Sequence, residues 1–252
     1  MSETAVQPKA QATGLSQWQR VAYTFTAPSK TFADIKRGNR SWWMPLIITA
    51  VSGYILFAAI TVKVSWNQVA DNVLRADAKA QERLASAPPE ARETALKWTQ
   101  YSIEGGFAAG PALMLAVVAL GSLGLWGTIN FVFGGKATFA NIFVVWMYAD
   151  LPRIIKSLLG AIAIFAGGEP ESFNLENFAP TNVGAFLSQQ ETSKALYVLA
   201  SWLDATTIWS LVLLAIGTAT VAGVKRNSGY IAVFGWWAIF LLISVGWAAI
   251  RG

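Results

Sequence analysis

The stretch "YADLPRIIKS", residues 148 to 157, places an acid, a helix breaker and two bases inside an otherwise apolar run from Ile142 to Ala166. Its four unusual residues are Asp150, Pro152, Arg153 and Lys156. A carboxylate and a guanidinium one helical turn apart can neutralise each other. Together with a proline break, they can also form a polar site for an ion or a substrate inside a membrane. The stretch is therefore the first candidate site.

The position of these charges makes them costly. Counted from Ile142, Asp150 lies about 12 Å and Arg153 about 16 Å along a helix, close to the midplane of a bilayer. An unpaired charge at that depth costs about 2.5–3.5 kcal/mol on insertion scales. Pro152 cannot donate to the carbonyl of Tyr148, so the helix is predicted to kink or break there and to free carbonyl groups. Lys156, farther along, is predicted to extend toward the outer interface.

Two interpretations of this site stay open. In the functional one, the break and its charges form a substrate or ion site, as in transporters with discontinuous helices. In the structural one, Asp150 and Arg153 tie the third span to a neighbour, and Asp204, Thr206 and Thr207 at the start of the fourth span are the candidate partners. Ionisable residues inside a membrane usually belong to a functional site, which favours the first interpretation. Against it, a transporter site normally needs more than one ion pair, and the spans show no inverted repeat.

The elements that must position these residues are membrane spans. The chain has 252 residues, of which 54% are hydrophobic and only 13% charged, whereas soluble domains carry about 25% charge. Its apolar blocks supply the roughly 20 residues that a crossing needs. The predicted fold is an all-α, polytopic membrane protein, a bundle of five transmembrane helices. The spans are predicted at about 42–62, 107–133, 142–166, 204–224 and 230–250.

Lysine and arginine set the predicted orientation. The amino-terminal segment carries six bases and two acids, and with five spans it shares a side with the turns at Lys136 and at Lys225 and Arg226. Basic short loops stay in the cytoplasm. We therefore expect an inner-membrane protein with a cytoplasmic amino terminus and an extracytoplasmic carboxyl terminus. The first forty residues are polar and basic, so no cleavable signal is expected.

The segments outside the spans are modest. Residues 1–15 are predicted to be a disordered cytoplasmic tail, and 16–252 to form the membrane domain. Apolar residues at helical spacing within 16–40, interrupted at Ala27-Pro28, predict short helices on the cytoplasmic interface. Residues 63–104 predict an extracytoplasmic helical hairpin broken at Pro88-Pro89. Residues 167–202 predict a second extracytoplasmic segment that starts as a loop and becomes helical from Asn182.

Composition argues against several functions. The sequence contains no cysteine and no histidine, which removes thiol chemistry, the commonest metal ligand and the usual general base. "GGK", residues 134 to 136, is too short for a phosphate loop. We expect no enzyme, no cofactor and no metal. The net charge of +5 is explained by the basic residues that set the membrane topology. The sequence has no basic face with stacking aromatic residues, so no nucleic-acid partner is expected.

Small residues predict where helices pack closely. On the second and fourth spans they are Gly106, Gly110, Gly121, Gly124, Gly127, Ala215, Ala219 and Gly223. Such faces allow helices to pack closely, either within one chain or between protomers. Packing within one chain is the commoner case. The expected partners are the lipid bilayer and other membrane proteins or a second copy of this chain.

Several motifs resemble the Yip family of membrane proteins (Ypt/Rab-interacting). "TFTAPSKTFADIKRGNRSWWMPLIITA" resembles the family's entry segment, and "GGKATFANIFVVWMYADLP" is similar to the glycine-basic turn and Tyr-x-x-Leu-Pro element of its bacterial branch. "PTNVGAFL" and "WLDATTIWSLVLLAIGTATVAGVKRNSGYIAVFGWW" resemble its last two spans. The resemblance covers residues 20 to 250 and departs at Ala205 or Thr206, where the family usually has an aromatic, and at the charges of Asp150 and Arg153.

This resemblance implies an integral inner-membrane protein that organises membrane or binds partners and is not an enzyme. The acidic Tyr-Gly-Pro element of the eukaryotic members is absent from the sequence, so their Rab binding is not carried over. The alternative is a small transporter or channel that uses Asp150 and Arg153.

Overall fold

The protein folds as α-helices joined by short turns. The structure, a computed structural model, describes residues 14–189 and 191–251, and within that part of the chain no strand is formed. The helices are α1 (Gln17–Thr26), α2 (Pro28–Lys36), α3 (Trp43–Lys63), α4 (Trp66–Ala76), α5 (Ala78–Ala85), α6 (Pro89–Ala108), α7 (Gly110–Gly127), α8 (Phe139–Ala149), α9 (Arg153–Phe165), α10 (Lys194–Trp202), α11 (Ala205–Ala222) and α12 (Arg226–Arg251). The prediction of an all-α protein is confirmed.

Four helical stretches of the described chain are long and apolar enough to cross a membrane. They are Trp43–Lys63, Gly110–Val132, Ala205–Ala222 and Arg226–Ile250. The second consists of α7 and a π-helical turn, Thr128–Val132. The prediction of a multi-pass membrane protein is thereby supported, and four of the predicted spans correspond to these stretches.

The third predicted span is divided into α8 and α9. These helices have 11 and 13 residues, or about 17 and 20 Å, and neither alone can cross a hydrocarbon core of about 30 Å. Together they follow the whole length of α3. At one end the Arg40 Nε donates to Asn141 Oδ1 at 3.2 Å, and at the other the Lys63 ammonium lies 5.5 Å from the centroid of the Phe165 ring.

Helices α4, α5 and α6 fill the predicted hairpin. The Ser65 hydroxyl caps α4 by accepting from Gln68 N, and the first arm is broken at Asp77, which caps α5. The second arm, α6, begins at Pro89 and runs on to Ala108. Trp66 joins the hairpin to α3 and α6, because its ring packs against Phe57 at 4.7 Å and Phe107 at 5.4 Å.

The amino-terminal helices α1 and α2 form a hairpin whose inner side packs against α8 and α11. Phe32 and Ile35 of α2 are fully buried, because they face α8 and α11. The contacts follow α11 along most of its length: a Cβ on Gly223 would lie 3.6 Å from Lys36 Nζ, and one on Gly217 2.9 Å from the Phe32 ring. Farther along, the ring of Phe25 lies 5.6 Å from that of Trp209.

The prediction that α1 and α2 lie on the interface is therefore wrong for α2. Its apolar residues meet protein instead of lipid, since the absence of a side chain at Gly217 leaves room for Phe32 beside Val145. Most of the predicted disordered tail, residues 1–13, lies outside the described residues. Of the rest, Leu15 donates its backbone N–H to Asp34 Oδ1 at 3.2 Å.

Residues 167–202 begin as a loop, as predicted, with two 3₁₀ turns at Pro170–Ser172 and Val183–Phe186. Regular helix starts only at Lys194, later than the expected start at Asn182. Asparagine side chains hold the loop together: Asn72 Nδ2 donates to the carbonyls of Pro170 and Phe173 at 2.8 and 2.9 Å. The loop is thus fixed to α4 on one side and continues into α10 on the other.

Candidate functional site

The ion pair predicted at the broken third span is formed, but at the edge of the protein. Arg153 Nη1 lies 3.4 Å from Asp150 Oδ1, and the two side chains are 53% and 15% exposed. The pair joins the end of α8 to the start of α9, one turn apart. Asp150 and Arg153 therefore neutralise each other locally and do not tie this span to a neighbouring helix through an ion pair.

The backbone at the break is bridged by hydrogen bonds. Pro152 ends the regular ladder between Ala149 and Arg153, as its missing N–H predicts. Bonds of the i to i+3 type then span the gap: Leu151 N donates to Tyr148 O at 3.2 Å and Arg153 N to Asp150 O at 3.0 Å. The expectation of freed carbonyls is thus wrong for these two groups, because a tighter 3₁₀-like turn uses them.

The link between neighbouring helices is made by Lys156 and Asp204. Lys156 Nζ lies 3.1 Å from Asp204 Oδ2, with side chains 21% and 3% exposed, and its ammonium also lies 5.4 Å from the Phe178 ring centroid. The prediction that Lys156 extends toward the outer interface stays a prediction, and the structure gives its ammonium a carboxylate partner. Asp204, proposed as a partner for the third span, is its counter-charge.

Asp204 is held from several directions. As the N-cap of α11, its Oδ1 accepts from the backbone N–H groups of Thr206 and Thr207 at 2.9 and 3.0 Å. The Thr206 hydroxyl donates to the same oxygen at 2.6 Å, and the Thr181 hydroxyl donates to Oδ2 at 2.7 Å. This carboxylate therefore joins α9, α11 and the loop before α10 at one buried point.

A small cavity separates the broken span from α11. It measures about 60 Å³, and Trp146, Asp150, Arg153, Thr207 and Ser210 are among the residues that line it. Ser210 is 6% exposed, and its hydroxyl has no hydrogen-bond partner within the described chain. The cavity has room for one or two molecules the size of water. Sequence reasoning missed Ser210, although its position one turn after Thr206 and Thr207 gives the face of α11 a polar stripe.

A second buried polar group lies at the amino-terminal hairpin and was also missed. The Arg20 side chain is fully buried, with Nε 3.8 Å from Asp34 Oδ2 and the guanidinium 5.0 Å from the Tyr148 ring centroid. Its Nη1 donates to the carbonyls of Asn39 and Ser41, both at 3.2 Å. The Tyr148 hydroxyl donates to Gln17 Oε1 at 2.9 Å. This cluster fastens the hairpin to the end of α8, four residues before the break.

Only some of the small residues predicted to pack closely do so within the chain. A Cβ on Gly121 would overlap the Trp146 ring, and one on Gly124 would lie 3.5 Å from Trp236. Ala215 and Ala219 are buried and lie against Gly229 of α12.

The remaining predicted positions have other surroundings. Around Gly106, Gly110 and Gly127 a Cβ would meet nothing within 4 Å, so these three do not pack closely within the chain, and packing between protomers stays a prediction. Gly223 ends α11 with φ +71°, a left-handed conformation that suits a glycine cap.

The sequence itself decides the family. The sequence model of the Yip1 domain matches residues 22–248. The chain belongs to the Yip1-domain family. No curated protein and no solved structure matches it significantly.

The Yip1 domain thus begins inside α1 and ends inside α12, and it includes the Asp150–Arg153 and Lys156–Asp204 pairs and the cavity. Within the described part of this Yip1-domain chain, no group of three acidic side chains could hold a metal ion. The chemistry that the site offers is that of charges and hydroxyl groups: Asp150 with Arg153, Lys156 with Asp204, and the free hydroxyl of Ser210.

Proposed function

We propose that this Yip1-domain protein is a five-span protein of the bacterial branch, placed in the inner membrane with its amino terminus in the cytoplasm. The fifth crossing is supplied by α8 and α9. Its support is their course along the full length of α3, from Arg40 and Asn141 to Lys63 and Phe165. The helical hairpin 63–104 and the carboxyl terminus are then extracytoplasmic, and the basic turns are cytoplasmic.

We further propose that the protein organises the membrane or binds partner proteins in it, and that it is not an enzyme. One observation carries this proposal: the charges of the broken span are compensated inside the chain. Asp150 pairs with Arg153, Lys156 with Asp204, and the turn at Pro152 is hydrogen-bonded. A site built to bind and release an ion would keep ligands available, whereas compensated charges rigidify a scaffold.

A small transporter or channel is the second candidate, and a specific observation favours it. Ser210, whose buried hydroxyl has no hydrogen-bond partner within the described chain, is among the residues that line the cavity beside Asp150 and Arg153. Transporter sites are built at discontinuous helices of this kind.

A flux assay separates the two candidates. The purified protein is reconstituted in liposomes and tested for H⁺, K⁺ and Cl⁻ flux, with Ser210→Ala and the double variant Asp150→Asn/Arg153→Gln as matched controls. The scaffold proposal expects rates equal to those of protein-free liposomes for all three proteins. Flux that requires Ser210 or the Asp150–Arg153 pair would overturn it in favour of transport.

The partner-binding role needs its own test in cells. A photo-crosslinking residue placed at the exposed Trp98 of the hairpin is expected to give discrete adducts at native expression levels. The same residue at the buried Val69 is the control for non-specific capture. Adducts that are equal at both positions, or absent from a scan of the exposed positions of the hairpin, would contradict partner binding.

A further inference from the structure

The segment before α11 has the composition of a membrane-embedded element. Between Asn177 and Gln190, and again between Ala195 and Leu203, the sequence has no charged residue. The sequence-based topology nevertheless places this segment outside the membrane. Which of its side chains are buried and which are exposed indicates whether the segment lies in water or in lipid.

The asparagine, tyrosine and serine side chains between the loop and α10 are turned inward and hydrogen-bonded to one another, whereas Glu191, just before α10, and Lys194, at its start, are exposed. Asn177 Nδ2 donates to the hydroxyl groups of Tyr197 and Ser201 at 2.6 and 2.9 Å, and Asn174 Nδ2 donates to Tyr197 at 2.8 Å. Asn182 Nδ2 donates to Asn177 Oδ1 at 2.8 Å. One face of α10 is thus closed by hydrogen bonds within the protein, and these amide groups do not depend on water.

The opposite face is apolar and uncovered. Leu196, Leu199 and Leu203 follow each other at helical spacing and are 52%, 37% and 41% exposed. The adjacent 3₁₀ turn adds Val183 and Phe186, which are 50% and 75% exposed. In water such a contiguous patch marks an interaction site, whereas in a bilayer it is ordinary lipid-facing surface.

The position of α10 decides between these solvents. It packs along α12, and the ring of Trp202 lies 6.3 Å from that of Trp237. Trp237 is near the middle of the 25-residue stretch Arg226–Ile250, which is long enough to cross the membrane. The end of α10 therefore lies beside the central part of α12.

We infer that the 3₁₀ turn Val183–Phe186 and residues 195–203 are embedded in one leaflet, with the leucine face of α10 and Phe186 against lipid acyl chains. The chain would then enter the bilayer at α10, bend at Leu203 and Asp204, and continue as α11. The fourth crossing would be interrupted like the third, and the Lys156–Asp204 pair would join the two interruptions. The inference requires α12 to cross the membrane and is independent of the partner-binding role.

Single spin labels test this surface directly, because the chain has no cysteine to remove. Cysteines replace Leu199 or Phe186, with Leu242 of α12 as the lipid control and Glu82 of α5 as the water control. The labelled proteins are placed in phosphatidylcholine and phosphatidylglycerol vesicles, and collisions with oxygen and with a nickel chelate are measured by electron paramagnetic resonance. Melting temperatures verify that each labelled variant is folded.

The expected result is that positions 199 and 186 resemble position 242, with high access to oxygen and low access to the nickel chelate. Access to the chelate as high as at position 82 would place the segment in water and overturn the inference. Low access to both reagents would also overturn it, since the face would then be covered by protein, for example by a second copy.

Discussion

At the scale of single residues, the Lys156–Asp204 pair should make the bundle sensitive to charge, because both side chains are largely buried. Asp204→Asn keeps an N-cap of equal quality but leaves the Lys156 ammonium without its counter-charge. Breaking a buried pair in this way costs about 3–5 kcal/mol, so the melting temperature in detergent should fall clearly. Replacing both residues, as Lys156→Met with Asp204→Asn, should recover much of the loss.

Asp150→Asn is the matched control for that prediction. Arg153 is half exposed, and its long side chain can turn toward the interface when its partner is lost. We expect an effect below about 1 kcal/mol, as for exposed pairs. Equal losses for Asp150→Asn and Asp204→Asn would show that the broken span depends on its own local pair.

The sequence predicted these charges better than it predicted their partners. Asp150 and Arg153 lie one turn apart on one helix, so their pairing follows from helical spacing. Lys156 and Asp204 lie on different helices, and spacing within a helix carries no information about which neighbour stands beside it. The same limit applies to the fully buried Arg20, which in the sequence is only one of the six bases of the amino-terminal segment.

At the scale of helices, close packing is concentrated at particular glycines. Gly121→Ala would push a methyl group into the Trp146 ring, and such overpacking costs about 1–3 kcal/mol. Gly127→Ala, at the end of the same helix, meets nothing within 4 Å and gains helix propensity. Thermal unfolding in detergent should show a loss only for Gly121→Ala, and a similar loss in both variants would refute this view of α7.

The amino-terminal hairpin gives a second test at this scale. Phe32 is fully buried between α8 and α11, whereas Trp18 of α1 is 68% exposed. Phe32→Ala should cost about 3–5 kcal/mol, and Trp18→Ala should stay within about 0.5 kcal/mol. Denaturation followed by intrinsic fluorescence compares the two. If neither substitution matters, the hairpin is peripheral, as the sequence pattern predicted.

Helix lengths and breaks could be predicted from sequence because both depend on local chemistry. An apolar stretch of about 20 residues is long enough to cross lipid, and a proline lacks the donor that a helix needs. What α2 packs against could not be predicted in this way. Apolar residues at helical spacing show that α2 has an apolar face, but they do not show whether lipid or α11 covers it.

At the scale of the whole molecule, the number of crossings can be counted with two cysteines. Under the proposed five-span topology, Ser86→Cys is extracytoplasmic and Asn227→Cys is cytoplasmic. An impermeant maleimide should therefore label only the first in intact cells and both after the cells are opened. If α8 and α9 did not cross, both positions would lie on one side, and labelling of both or neither in intact cells would exclude five spans.

The contact between α2 and α11 has a consequence for the order in which the protein is made. Phe32 leaves the ribosome roughly 185 residues before Gly217, the position beside which it comes to rest. At about 5–20 residues per second, this interval lasts roughly 10–40 s. During that time the apolar face of α2 must wait on the lipid surface or with a chaperone. The first helices synthesised thus complete their packing late, and a chain truncated before α11 would leave the α11-facing side of Phe32 and Ile35 exposed to quality-control proteases.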